Sequence, residues 1–331
     1  MKNIIFLEPV FKEMIWGGNR LKSDFGYDIP SDNTGECWAV SAHTNGDCTV
    51  KDGKYKGEKL STLWKNHREL FGGMEGENFP LLIKIIDAKA DLSIQVHPDD
   101  EYAKKNENGS LGKTECWYIL DCDVDGKIIV GHNAKNKDEL KNMIAEHRWN
   151  ELIRVVPIKK GDFFQIEPGT VHAIKAGTII LETQQNSDIT YRLYDYDRLS
   201  GGMPRELHID KSIDVIECPY IDSASDIKEV VLGQGMQSKQ ATQAEQDMHA
   251  KQAVQAQLEE LVNCEFYTVN KLQVFGKQIF NQTEPFTILS VIEGQGTVDG
   301  IKIVKGDHFI LSAGYGEYCI EGNIQLITSH L

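Results

Sequence analysis

The sequence has no CxxC pair, no stretch composed like the core of a signal peptide and no apolar run long enough to span a bilayer. Its seven cysteines, Cys37, Cys48, Cys116, Cys122, Cys218, Cys264 and Cys319, are odd in number and scattered over 331 residues. They read as reduced, mostly buried thiols rather than a disulfide framework. Glu8 and Lys12 interrupt the apolar amino-terminal stretch, so no membrane partner is expected and the cytoplasm is the expected compartment. Basic residues are also in short supply: 35 Lys and Arg against 50 Asp and Glu give a formal charge of -15. That surface repels a phosphate backbone, so no nucleic-acid partner is expected, although a local pocket of Lys and Arg still suits a small anion. Neither GxGxxG after a strand nor GxxxxGK[ST] occurs, which sets aside the common nucleotide-binding folds.

What is present reads as a β-rich soluble chain with many turns, 29 glycines against 9 prolines. The length suits two domains, or one large β domain carrying helical insertions. Leu60, Leu63, Trp64, His67, Leu70 and Phe71 recur at helical spacing, and Gly72 and Gly73 end that helix. After Pro80 come short β-branched runs, LLIKII, LSIQVH, ECWYIL and KIIVG, read as successive strands. Helices are expected at DDEYAKKNE, at KDELKNMIAEHRW and at PRELHIDKSIDVI, where Pro204 suits a first helical turn. Residues 162–197 read as three or four further strands. The composition then shifts to Gln, Ala, Lys and Glu with almost no strand signal, before strands return. The expected organisation is a domain over 1–222 with helical insertions, a connector over 223–260 that is helical or mobile, and a second β domain over 261–331.

An internal repeat supports two copies of one architecture. KKGDFFQIEPGTVHAI aligns without gaps on VKGDHFILSAGYGEYCI, pairing Gly161 with Gly306, Asp162 with Asp307, Phe164 with Phe309 and Gly169 with Gly314. His172 falls opposite Glu317, so the second copy lacks that histidine and is expected to be metal-free.

Gln95 and His97 lie two apart on a predicted strand and so share a face. Glu115 opens the next strand and His172 follows a glycine turn. Two imidazoles, a carboxylate and an amide oxygen make a set that leaves room for water or substrate, as a catalytic divalent site requires. The remaining histidines, His43, His67, His132, His147, His208, His249, His308 and His330, read as structural or surface residues. The motifs WGG and GECW give no reason beyond packing or pocket lining, and packing is the commoner role of their aromatic rings.

The spacing of these four residues resembles a cupin, with Gly161, Gly169 and His172 matching the second cupin motif. Glu167 stands where proline is usual there, and Gln95 replaces a histidine in the first motif. Both departures match one family: IQVHPDD, GKTECWY, PGTVHAI and ITYRLYDYDR resemble the short bacterial form of the type I mannose-6-phosphate isomerases. The likeness runs over roughly residues 6–220, and the carboxy-terminal third resembles the family only in strand pattern. The resemblance implies a mainly β fold with cupin (jelly-roll) β-barrels in tandem and helical insertions. It implies isomerisation of mannose 6-phosphate and fructose 6-phosphate with one zinc per chain, held by Gln95, His97, Glu115 and His172. Arg192 matches the family's active-site arginine; Ser93, Lys113 and Arg198 are the candidate phosphate contacts. A cupin oxygenase using iron and a sugar-phosphate-binding bicupin without turnover are the alternatives. Gln95 and the trio Lys113, Arg192 and Arg198 count against the first, and the retained ligands with Arg192 against the second. The sequence leaves monomer or dimer open.

Overall fold

The structure, a computed structural model, describes residues 2–221 and 256–331. It is mainly β, and the described residues divide into two compact units that are not continuous in sequence. One takes residues 7–67 and 75–221; the other takes 2–6, 68–74 and 256–331.

The first unit is built on two antiparallel sheets. Six strands run in the order Phe163–Ile166, Glu115–Cys122, Thr178–Gln185, Leu81–Ala88, Val10–Gly18 and Thr34–Val40. Five run in the order Ile153–Pro157, Lys127–His132, His172–Ile174, Ile94–Val96 and Tyr191–Tyr194. Alternation along each strand decides what faces where. Ile128, Val130 and Ile174 of the five-stranded sheet pack with Ile86, Trp117, Ile119 and Ile180 of the six-stranded one, which puts these faces together. Ile94, Val96, Ile129, Ala173, Tyr191 and Leu193 point the other way, onto Leu140, Met143, Ile144, Leu152 and Ile216 of the helical layer. The residues between them in sequence, Gln95, His172 and Arg192, therefore face the six-stranded sheet.

Helices Asp100–Asn106 and Lys137–Ala145 form where expected, each with a side-chain cap: Asp99 accepts from the Tyr102 amide and Asn136 from the Glu139 amide. Two expectations are corrected. The helix starting at Leu60 ends at Asn66, because His67 leaves helical geometry (φ -132°, ψ 51°), and Arg68–Phe71 form a separate 3-10 turn. Pro204 does not open a helix. Met203–Pro204 pairs with Leu199–Ser200 in a short hairpin, and the helix is Ile209–Val215.

The second unit is a strand assembly around a 15-residue ladder in which Thr268–Gln282 pairs with Gly316–His330 from Thr268 opposite His330 to Gln282 opposite Gly316. Its core gathers Leu272, Val274, Leu289, Val291, Ile303, Phe309 and Leu326. Of the 223–260 connector, only 256–260 fall among the described residues; they open strand Ala256–Asn263, and the rest of that expectation lies outside them. Ladder pairing with Thr268–Gln282, including Glu259 Oε2 at 3.6 Å from Lys271 Nζ, overrides the weak β propensity of Gln and Glu there.

The repeated turn has the same geometry in both units. Gly161 and Gly306 each adopt φ 92°, and Asp162 and Asp307 each accept a 2.8 Å bond from the amide three residues back, Lys159 and Val304.

Candidate functional site

A single row of cross-strand neighbours carries three of the eight expected site residues. Gln95 pairs with His172 on one side and with Arg192 on the other, so the three side chains stand abreast on the inner face of the five-stranded sheet. His97 follows Gln95 two residues later on the same face. Glu115 enters from the six-stranded sheet opposite. The turn before His172 is tied to this frame: the Gly169 amide donates to His97 O at 2.9 Å, and Gly169 O accepts from the Glu217 amide at 3.0 Å.

The ring nitrogens are assigned by their partners. His97 Nδ1 lies 2.8 Å from Ile189 O and His172 Nδ1 lies 2.9 Å from Thr170 O. A carbonyl can only accept, so both Nδ1 atoms carry the proton and both Nε2 atoms present lone pairs. Those lone pairs are 3.1 Å apart, and the Glu115 carboxylate stands 3.6 Å from His97 Nε2 and 3.5 Å from His172 Nε2. Glu115 Oε1 is buried with no hydrogen-bond donor. Three such donors converging at 0–1 % exposure form a set that could hold a cation. Among the described residues this is the one group of three such side chains close enough to hold a metal. Burial, then Lys113, pushes the His97 imidazolium well down; burial lowers His172 to about 4, so both rings stay neutral as ligation requires. Burial and then Glu182 push Glu115 up to about 7, against Lys113.

Gln95 is turned with its amide nitrogen 3.3 Å from His172 Nε2, while its Oε1 accepts from Ser93 Oγ at 3.3 Å. To ligate a cation through oxygen, the amide must rotate by half a turn.

A cavity of about 210 Å³ opens between the two sheets; His97, Glu115 and His172 are not on its wall, but Gln95 and Lys113, which touch His172 and Glu115, are. Ser93, Gln95, Lys113 and Arg192 all line it, as expected. Lys113 Nζ is 2.9 Å from Glu115 Oε2, and the carboxylates Glu115 and Glu182 hold the ammonium charged by raising its pKa, against the burial that opposes it. Arg192 is half-buried and its Nε has no partner. Arg198 is not on the cavity wall. Its Nη2 reaches Asp195 Oδ1 at 2.5 Å, its Nε donates to Asp195 O at 3.2 Å and its Nη1 donates to Asp91 O.

Several lining residues were not singled out from the sequence. Lys84 and Glu182 are buried cross-strand partners 3.1 Å apart, and Trp117 Nε1 donates to Glu182 Oε2 at 3.1 Å. Burial alone would raise the Glu182 pKa, but Lys84 and Lys113 outweigh it and hold the carboxyl below its usual range. Trp16 and Trp38 of the WGG and GECW motifs, read chiefly as packing residues, are buried and line the cavity, with Lys84 Nζ 5.2 Å from the Trp38 ring centre. Arg205 lines it too. A signal for Lys84 and Glu182 was available: each is the one charge in an otherwise apolar or neutral strand run, LLIKII and TIILETQQ. Of the histidines read as structural, His308 is buried against Ser290 Oγ at 2.8 Å, and His249 lies outside the described residues.

Two family profiles match the chain. Residues 4–120 match "Phosphomannose isomerase type I, catalytic domain", and residues 257–331 match "Mannose-6-phosphate isomerase, cupin domain". Mannose-6-phosphate isomerase ManA of Bacillus subtilis (strain 168) is 50 % identical over 332 residues, covering 99 % of this chain and 98 % of the relative. The chain belongs to the type I mannose-6-phosphate isomerase family. The mannose-6-phosphate isomerase of Streptococcus mutans is 44 % identical, with 100 % and 99 % of the two chains covered. A crystal structure of the mannose 6-phosphate isomerase from Bacillus subtilis superposes with a TM-score of 0.89 at 48 % identity, covering 99 % of each chain. The carboxy-terminal third, which resembled the family only in strand pattern, thus matches its cupin domain outright. No helix among the described residues is long and apolar enough to cross a membrane.

Proposed function

We propose that this chain interconverts mannose 6-phosphate and fructose 6-phosphate by moving a proton between C1 and C2 of the open-chain sugar, with one zinc ion per chain. The observation that carries the reading is the convergence of His97, Glu115 and His172 beside a cationic cavity, in a member of a family whose close relatives bear that name. His97, Glu115 and His172 would hold the metal, with Gln95 joining after rotation of its amide. When bound, zinc would serve as a Lewis acid toward the oxygens at C1 and C2.

The rest of the work falls to the protein's own groups. Arg192, beside Gln95 in the row and with an unpartnered Nε, faces the negative charge that develops on the sugar oxygen. Lys113, fixed on Glu115, adds a second charge at the same end of the cavity, and Ser93 supplies a hydroxyl. Glu36, Glu182 and Asp188 are the carboxylates on the wall and the candidate proton carriers. Trp16, Trp38 and Trp117 supply apolar walls that exclude water around the reacting carbons. The two units are read as jelly rolls in tandem, on the strength of the repeated turn, and the protein as cytoplasmic.

The test is a coupled assay of fructose 6-phosphate formed from mannose 6-phosphate, run beside free mannose and glucose 6-phosphate. Turnover of mannose 6-phosphate well above both comparators supports the proposal; no turnover by folded, metal-loaded protein would sink it and favour a binding protein without catalysis.

A further inference from the structure

We infer that Arg205, and not Arg198, supplies the guanidinium that grips the phosphate end of the substrate, with Asp195 as the residue that positions it. The inference rests on the sugar-phosphate reading above and names the group that gives that site its preference for a doubly charged end.

The argument starts from what each guanidinium has left to give. All three nitrogens of Arg198 are engaged within the protein, two on Asp195 and one on Asp91 O. Arg205 sits just after the hairpin Leu199–Ser200/Met203–Pro204 and binds Asp195 along one edge only, Nε to Oδ2 at 2.7 Å and Nη2 to Oδ1 at 2.5 Å. Its Nη1 has no hydrogen-bond partner among the described residues, and the side chain lines the cavity beside Arg192. A guanidinium clamped along one edge and open on the other is a preorganised fork, and a fork suits phosphate oxygens better than a lone ammonium does.

The charge balance points the same way. Asp195 is 4 % exposed and is shared by two arginines, so one carboxylate faces Arg198 and Arg205 while Arg192 stands near with no ion pair of its own. Burial would raise the Asp195 pKa, but Arg205 and Arg198 hold it below the usual range, so the clamp stays charged at neutral pH. Arg192 is depressed by burial first and by the charge of Arg205 second. With Arg192 assigned to the reacting oxygen, the open edge of Arg205 is the guanidinium charge on the wall left for a phosphate dianion, although Glu36, Glu182 and Asp188 also line the cavity.

The experiment compares wild-type holoenzyme with Arg205→Gln, Arg205→Lys and Arg198→Gln, measuring kcat and KM for mannose 6-phosphate. Calorimetry with the unreactive probe sorbitol 6-phosphate gives a binding constant that needs no turnover. Arg205→Gln is expected to raise KM and the probe's dissociation constant tenfold or more with kcat within about threefold. Arg205→Lys should recover part of the loss, and Arg198→Gln should show the smaller change. An Arg205→Gln protein with wild-type KM and probe binding overturns the inference, as does a larger loss in Arg198→Gln. Where Arg205→Gln does not fold, Arg205→Lys carries the test: a threefold rise or more supports the clamp and a wild-type value overturns it. Failure of wild-type turnover with intact probe binding would sink the isomerase reading and leave this one standing.

Discussion

His172 Nε2 lies 3.1 Å from His97 Nε2, each ring held by its other nitrogen on a backbone carbonyl, so that two lone pairs meet beside the Glu115 carboxylate. That arrangement is repulsive by itself and becomes favourable when a cation is placed among the three donors. His172→Ala is expected to lose metal and turnover together, turnover falling by more than the roughly 10–100-fold typical of outer-shell changes. Elemental analysis beside the coupled assay checks this, and a metal-free variant with full activity would contradict the site.

Under the proposed reading Arg192 acts on developing charge and is not one of the metal ligands. Arg192→Ala should keep its metal content and lose about 10²–10³ in kcat, the cost typical of removing one donor to a developing oxyanion. Arg192→Ala protein that turns over at the wild-type rate would remove the residue from the mechanism.

Gly169 adopts φ +83°, and a Cβ there would meet Val215 O at 2.8 Å and the Glu217 nitrogen at 3.1 Å. Gly169→Ala should cost about 1–2 kcal/mol for the left-handed backbone alone. The turn that positions His172 would shift with it, so metal affinity should fall as well. Urea unfolding and metal titration of the variant measure the two effects; unchanged metal affinity would uncouple this turn from the ligands.

His308, in the second unit, is buried and neutral, its pKa lowered by burial to about 3. The unfolded chain takes up this proton near pH 6.5, so stability is full above that pH and is lost progressively as pH falls toward 3. Between pH 7 and pH 5 this one residue should cost about 2 kcal/mol, and His308→Gln should lose that much less than the wild type does. Urea midpoints at the two pH values decide it; identical pH dependence in both proteins would show that His308 is not responsible.

The residues that converge at the candidate metal site were legible from local signals. Gln95 and His97 sit two apart on a strand, and His172 follows a glycine turn whose φ +83° residue was visible in the sequence. Arg205 was not legible. It follows Pro204, which read as a helix start, and only the hairpin with Leu199–Ser200 carries it to the cavity. The ion pair of Lys84 with Glu182 depends on cross-strand register between segments 98 residues apart, which no local pattern encodes, although a lone charge inside each strand run hinted at a buried partner. The helix from Leu60 was right in face and wrong in length, because periodicity continues across the break at His67 where the backbone does not. Strand Ala256–Asn263 was missed at its start for the opposite reason, since its residues favour other structures and only the neighbouring ladder makes them a strand.

The central claim is that a metal held by His97, Glu115 and His172 is required for isomerisation of mannose 6-phosphate. The direct measurement is fructose 6-phosphate formation by the same protein sample before chelation, after chelation and after zinc is restored, with folding followed throughout. Activity that disappears on chelation and returns with zinc is the expected result. Activity that persists in folded, demonstrably metal-free protein would contradict the account.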